Sequence, residues 1–177
     1  MRKVGMAIYF ILIFIIIYLL QANLFSWFNL AGVKPNLFII LVLTIGLFAG
    51  KGIGITFGVF FGIILDLLMG KSIGICTTML GGIGFIGGHL GKNFSKDSRI
   101  TMITMIAITT FIYEIGIIIL NFFINEASIV IWYLIKTLII EIIYNSIITI
   151  IIYPLIIKFG YIIEENFKTN KMLTRYF

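Results

Sequence analysis

Long apolar runs, separated by short polar, glycine or proline interruptions, make up most of the sequence. About 20 predominantly apolar residues span the hydrocarbon core of a bilayer as one α-helix. The runs predict six transmembrane helices, at about residues 4–20, 33–49, 53–69, 73–90, 100–124 and 129–157. The more polar residues 158–177 are interpreted as a tail. We therefore expect an all-α polytopic membrane protein, with residues 1–177 forming a single transmembrane bundle.

Composition excludes a soluble globular protein. Apolar side chains make up 61% of the 177 residues and charged ones only 11%, against about 25% in ordinary soluble domains. A single cysteine, Cys76, and a single histidine, His89, cannot form a disulfide or a multi-ligand zinc site together. We therefore expect neither a metal nor a cofactor.

The basic residues are distributed by loop rather than gathered into one patch. For six helices with the N-terminus inside, ten of the thirteen lie on one side, two on the other and Lys136 within a helix. The positive-inside rule then puts both termini in the cytoplasm. Orientation thus explains the net charge of +6, and no nucleic-acid partner is expected. The inner group is Arg2, Lys3, Lys51, Lys92, Lys96, Arg99, Lys158, Lys168, Lys171 and Arg175, and the outer group is Lys34 and Lys71.

The third predicted helix carries glycines at every fourth position, including Gly54, Gly58 and Gly62. This spacing puts them on one stripe, where the absence of side chains lets a neighbouring backbone approach closely. The stripe therefore predicts a helix-packing or partner-binding surface, with a ligand cavity or a movable joint as the alternative. The fourth helix offers a complementary set: Gly81, Gly84, Gly87, Gly88 and Gly91.

Asp66 lies on the same stripe, four residues after Gly62. A carboxylate in a membrane helix is costly unless it is paired, protonated or hydrated, and is a functional candidate for that reason. One interpretation gives Asp66 a buried partner, for which Lys136 is a candidate. The other has it capping the turn that contains Gly70.

Helices five and six each carry a polar stripe, which predicts a buried polar network formed by Glu114, Asn121, Lys136, Glu141 and Asn145. Glu114 and Glu141 are expected at one level near mid-membrane, where two carboxylates cannot both be charged cheaply. A structural network or binding interface is favoured over proton transport or acid–base chemistry. No catalytic residues are predicted, because no nucleophile or second histidine accompanies the acids.

The sequence Gly32-Val33-Lys34-Pro35-Asn36-Leu37 opens helix two, and a spaced row of glycines surrounds Asp66. With these motifs, the segment from Gly32 to Gly74 resembles the MreD family of bacterial rod-shape-determining membrane proteins. Pro35, Asn36 and Gly70 join the candidate site residues on this basis. The row comprises Gly50, Gly54, Gly58, Gly62, Gly70 and Gly74.

The resemblance implies a non-catalytic scaffold subunit of the lateral-wall elongation machinery in the bacterial inner membrane. Implied partners are the bitopic protein MreC, the actin-like MreB, and the wall-synthesis glycosyltransferase and transpeptidase. Self-association into a homo-oligomer is compatible with it. It also implies a fold similar to the S components of energy-coupling-factor transporters. A vitamin-binding S component is the alternative function, although helix one lacks the small residues four apart that S components present to their coupling partner.

Overall fold

The computed structural model describes residues 2–24, 27–29, 32–70, 73–91, 98–125 and 131–173, which are almost entirely helical. Lys71, Lys92, Lys96 and Arg175, which entered the charge count, lie outside the described residues. A π-helical turn, Leu20–Leu24, follows the first helix. The α-helices are α1 (Arg2–Leu19), α2 (Leu37–Ala49), α3 (Lys51–Met69), α4 (Ile75–Leu90), α5 (Arg99–Asn125) and α6 (Ile131–Leu173).

The predicted all-α membrane architecture is confirmed. Three segments are long and apolar enough to cross a membrane: Lys51–Met69, Arg99–Ile124 and Leu134–Phe167. The remaining apolar helices are shorter. Among them, α2 begins at Leu37 rather than near residue 33. Asn36 has the non-helical angles φ −108° and ψ 88°, and Pro35 disfavours a helical conformation at the residue before it.

The last helix is longer than expected, since α6 continues through Pro154 and past residue 157 to Leu173. Apolar side chains keep helical spacing beyond residue 157, and two of them enter the core. Ile163 is fully buried, and the Phe167 ring lies 6.0 Å from that of Phe10 on α1. The first part of the expected tail is therefore packed as part of the bundle.

Helix α2 is the centre of the bundle. All thirteen of its residues are buried, and it packs against α3, α4, α5 and α6. A helix surrounded on every side by protein is apolar on every face, which explains why residues 37–49 show no polar stripe. Thr44 is the one residue of α2 with a polar side chain, and its hydroxyl donates to the Ile40 carbonyl at 2.7 Å.

Helix α1 is attached through aromatic rings. Phe10 and Phe14 point inward and are buried. The Phe10 ring centroid lies 4.1 Å from that of Phe57, and Phe14 lies 5.1 Å from Phe61 and 5.2 Å from Phe38. The opposite face of α1 exposes only large apolar side chains: Ile8, Ile11, Leu12, Ile15, Ile16 and Leu19. Such a face suits contact with lipid.

Candidate functional site

The glycine ridge, formed by Gly54, Gly58 and Gly62 on α3, lies directly against the backbone of α4. A Cβ added to Gly54 would lie 2.5 Å from the carbonyl oxygen of Gly84. A Cβ on Gly58 would overlap the Leu80 carbonyl, and one on Gly62 would overlap Thr77 Cα. The obstructing atoms are main-chain atoms, which cannot rotate away. Glycine is therefore required at all three positions for this helix spacing.

A third helix joins the same contact, because α2 carries its own glycine where α3 and α4 cross. A Cβ on Gly46 would lie 2.6 Å from the Gly84 carbonyl oxygen, and the Cβ of a residue at 54 would lie 2.7 Å from Gly46 Cα. On α4, Gly87 faces the Leu43 carbonyl of α2. The glycines of α3 and α4 thus fix the centre of the bundle itself.

The turn between α3 and α4 uses glycine for its backbone conformation. Gly70 ends α3 with φ +60° and Gly74 precedes α4 with φ +105°, both in the left-handed region that L side chains rarely adopt. A Cβ at either position would meet no atom within 4 Å. Backbone angle rather than space therefore selects glycine at Gly70 and Gly74, unlike the ridge.

Asp66 holds the beginning of α4. Its Oδ2 accepts hydrogen bonds from the Gly74 N–H at 2.9 Å and the Thr77 N–H at 3.1 Å, and Oδ1 accepts from the Cys76 N–H at 3.0 Å. The Thr77 hydroxyl donates to Oδ2 at 2.7 Å. These N–H groups have no partner within their own helix, and a negative charge is favourable at a helix N-terminus. Asp66 is therefore an N-cap supplied by the preceding helix.

Lys136 does not belong to the buried network predicted for it. Its side chain is exposed on α6, and the four hydrogen bonds at Asp66 come from residues 74–77 of the chain. The expected pairing assumed that helix rise alone would bring two groups at one depth together. Asp66 is instead 3% exposed and already saturated by nearby donors. The interpretation of Asp66 as a cap is the one that the geometry favours, although the capped element is α4 rather than the turn.

Asn145 is the centre of a polar cluster between α2, α5 and α6. Its amide nitrogen donates to the Thr110 hydroxyl at 3.0 Å, and its Oδ1 accepts the Asn36 backbone N–H at 2.8 Å. The side chain is fully buried. Asn36 is the residue before α2, and its side chain does not cap that helix. The Asn36 N–H has no partner within α2. Asn145, 109 positions further along the chain, accepts its hydrogen bond.

Glu114 and Glu141 lie beside this amide. The two carboxyl groups are close enough to interact with each other, and Glu141 also lies close to Asn145. Two buried carboxylates that face each other cannot both be charged cheaply. Among the described residues, Glu141 Oε1 and Asn36 Oδ1 are buried acceptor atoms with no partner. Each of these two oxygens is therefore still able to accept a hydrogen bond.

Two residues that the sequence did not single out complete the cluster. The Tyr113 side chain is 4% exposed and lies close to the side chains of Asn36 and Cys76. Next to α2, the Leu37 N–H donates to Gln21 Oε1 at 3.3 Å. Asn121, in contrast, donates to the Ile117 carbonyl of its own helix at 2.9 Å. Pro35 is buried beside the cluster.

A family model described as "rod shape-determining protein MreD" matches residues 1–162. The chain belongs to the MreD family. The match covers the first five helices and most of α6, well beyond the segment that carried the resemblance. No curated protein and no solved structure matches the chain, so the likeness to S components stays a prediction.

Membership in the MreD family implies a role in rod-shape determination and association with the machinery that carries it out. Together with the apolar helices, it makes this chain a multi-pass membrane protein. Within the described residues, no three His, Cys, Asp or Glu side chains are close enough to hold a metal ion. Asp66 and Asn145 both accept hydrogen bonds from the chain's own backbone, Asp66 at the start of α4 and Asn145 at the start of α2.

Proposed function

We propose that this MreD-family chain is a non-catalytic scaffold of the lateral-wall elongation machinery that binds MreC within the membrane. The family match over residues 1–162 carries the proposal. The geometry supports it, because the conspicuous site residues are engaged in holding helices together. Gly54, Gly58 and Gly62 contact α4, and Asp66 caps it. Through MreC, the scaffold would act with MreB and the wall-synthesis enzymes.

The proposed orientation puts both termini in the cytoplasm. Its support is the ten-to-two distribution of basic residues between the two sides. Trp27 and Trp132, which would then share the outer interface, are 90% and 78% exposed, as expected of side chains at a membrane surface. Reporter fusions after Lys96 and Phe177 should both give cytoplasmic signals. A periplasmic signal from either fusion would contradict this topology.

Affinity purification from native membranes tests the proposed partner. The tagged full-length chain is extracted in mild detergent, and the proteins that accompany it are identified by mass spectrometry. A tagged membrane protein of similar abundance from the same cells is the control for nonspecific recovery. Specific recovery of MreC is the expected result.

The competing function predicts a different set of partners and a ligand. An S component would recover an ATPase-coupled membrane protein and would bind a vitamin in stoichiometric amount. Either finding, with MreC no more abundant than in the control, would replace the scaffold proposal.

A further inference from the structure

An apolar groove runs between α1, α2 and α6, outside the site described above. Its volume is about 560 Å³, within the roughly 300–1,000 Å³ typical of ligand sites. Leu155 at its edge is 65% exposed, so the groove is open to the surroundings of the bundle. Residues lining it include Ile13, Ile17, Leu41, Thr44, Ile152 and Phe159.

The lining of the groove selects for a hydrocarbon chain. Of its polar residues, Thr44 already donates its hydroxyl to the Ile40 carbonyl, while Tyr9 and Lys158 lie on the α1 and α6 sides of the groove. The Tyr9 ring packs 5.8 Å from Phe159. Deep inside, the walls are aliphatic, so a polar ligand would lose its hydrogen bonds with water and gain none.

The groove is long enough to hold an acyl chain. Its lining on α6 extends from Ile148 to Ile162, about 21 Å at the helical rise. A methylene chain, whose carbons keep about 3.5–4.0 Å from their neighbours, fits. The length also exceeds half of the roughly 30 Å hydrocarbon core, the depth of one leaflet.

A basic side chain beside the groove indicates the kind of headgroup that the ligand carries. Lys158 is the only charged residue that lines the groove within the described chain, and its side chain is exposed. A lysine beside an apolar groove attracts an anionic phosphate while the acyl chain enters below it. We propose that this groove binds one phospholipid of the surrounding membrane, with an acyl chain between α1, α2 and α6 and its phosphate at Lys158.

Helix α2 provides the readout, because all thirteen of its residues are buried within the bundle. The purified full-length chain is reconstituted into vesicles of phosphatidylethanolamine and phosphatidylglycerol. The vesicles also contain a phosphatidylglycerol whose acyl chain carries a diazirine. After illumination, labelled residues are identified by mass spectrometry. Label on Leu41 or Thr44 is expected, since a lipid reaches them only through the groove.

Two matched pairs test the geometry. Ile152→Trp fills the groove and should abolish the α2 label, whereas Ile151→Trp, on the 69% exposed neighbouring position, should leave it. Lys158→Gln should reduce the α2 label about fivefold, the effect of one basic residue at a membrane surface, and Lys136→Gln should not. Both lysines are exposed, so this pair remains informative if Ile152→Trp fails to fold.

The proposal is overturned if α2 is unlabelled in the wild-type chain, or if the members of each pair label α2 equally. A further arm places a photoreactive amino acid at Ile152 in native membranes. A lipid adduct there supports the proposal, and a protein adduct without a lipid adduct means that a partner polypeptide occupies the groove. Lipid binding in the groove does not depend on whether MreC is the partner. A result that overturns one of the two proposals therefore leaves the other untouched.

Discussion

Helices α3 and α1 are both apolar and both pack on the same bundle, but they are held by opposite means. Between α3 and α4, glycines bring backbones into direct contact, so that a Cβ at Gly54 would reach 2.5 Å from the Gly84 carbonyl. Helix α1 is instead held at a distance by Phe10 and Phe14. A groove of about 560 Å³ remains beside α1.

This difference reflects what the bilayer provides. Lipid chains are as apolar as leucine, so helices gain little from burying large aliphatic surfaces and associate through close packing and hydrogen bonds. The α3–α4 contact has both, because Asp66 bonds the N-terminus of α4. Phe10 and Phe14 of α1, in contrast, contact the bundle through packing of their aromatic rings. We therefore expect α3–α4 to be the rigid part of the bundle and α1 the adaptable part.

The largest effect is expected from Gly58→Leu. A leucine side chain there meets the Leu80 carbonyl, and overpacking against a backbone atom should cost about 3 kcal/mol or more, at the upper end of overpacking penalties. Gly52→Leu on the same helix is the matched control, because a Cβ at Gly52 meets nothing within 4 Å. Unfolding of both purified variants in detergent measures the difference. Equal stabilities would contradict the backbone contact.

Asp66→Asn should have the next largest effect. The amide keeps one acceptor oxygen and presents an NH₂ group to a site whose recorded partners all donate. Loss of a charged acceptor should cost about 2 kcal/mol. Thr77→Val, which removes one of the four donors, should cost less, so the order of the two variants in the same unfolding assay is the test. An Asp66→Asn variant as stable as the wild type would remove the capping role.

Phe14→Ala should weaken the α1 contact by about 1 to 2 kcal/mol. This loss is smaller than the roughly 3–5 kcal/mol typical of soluble cores, because lipid rather than water fills the space that the ring leaves. Ile16→Ala, at a position 54% exposed on the outer face, is the control. Limited proteolysis should detect release of α1 while α3 and α4 stay protected. Simultaneous loss of all three helices would mean that the two contacts are not separable.

The smallest effect is expected from combining Lys136→Met with Asp66→Asn. Lys136 is exposed and Asp66 is bonded elsewhere, so the two changes should be additive within about 0.5 kcal/mol. A double-mutant cycle in the unfolding assay measures the coupling. A coupling free energy of more than about 1 kcal/mol would contradict this prediction and would indicate that Asp66 and Lys136 form an ion pair.

The sequence was sufficient for features that depend on periodicity. Helix number follows from apolar runs, and glycines at every fourth position of α3, with a further set of glycines on α4, predict a packing surface on these helices. Features that depend on distant partners were not accessible. Nothing in the spacing indicates that Asn145 bonds the Asn36 N–H across 109 residues, or that Asp66 reaches forward to Thr77.

Depth in the membrane does not identify the partner of Asp66, and the polarity of the sequence does not identify the end of α6. Lys136 and Asp66 share a level by helix rise, but rotation about the α6 axis directs the lysine outward. Residues after 157 are more polar than those before, yet Ile163 and Phe167 keep one face apolar and continue α6 into the bundle. The groove beside α1 was also missed, because its three walls come from separate parts of the chain.

Rod-shape rescue by the Gly58→Leu and Gly52→Leu pair tests the central claim most directly. Cells depleted of the native protein express each variant at equal level, and cell shape is recorded together with MreC recovery. The account predicts that Gly52→Leu restores rods and recovers MreC, while Gly58→Leu does neither, because the scaffold requires α3 and α4 in backbone contact. Full rescue with normal MreC recovery by Gly58→Leu would contradict the claim.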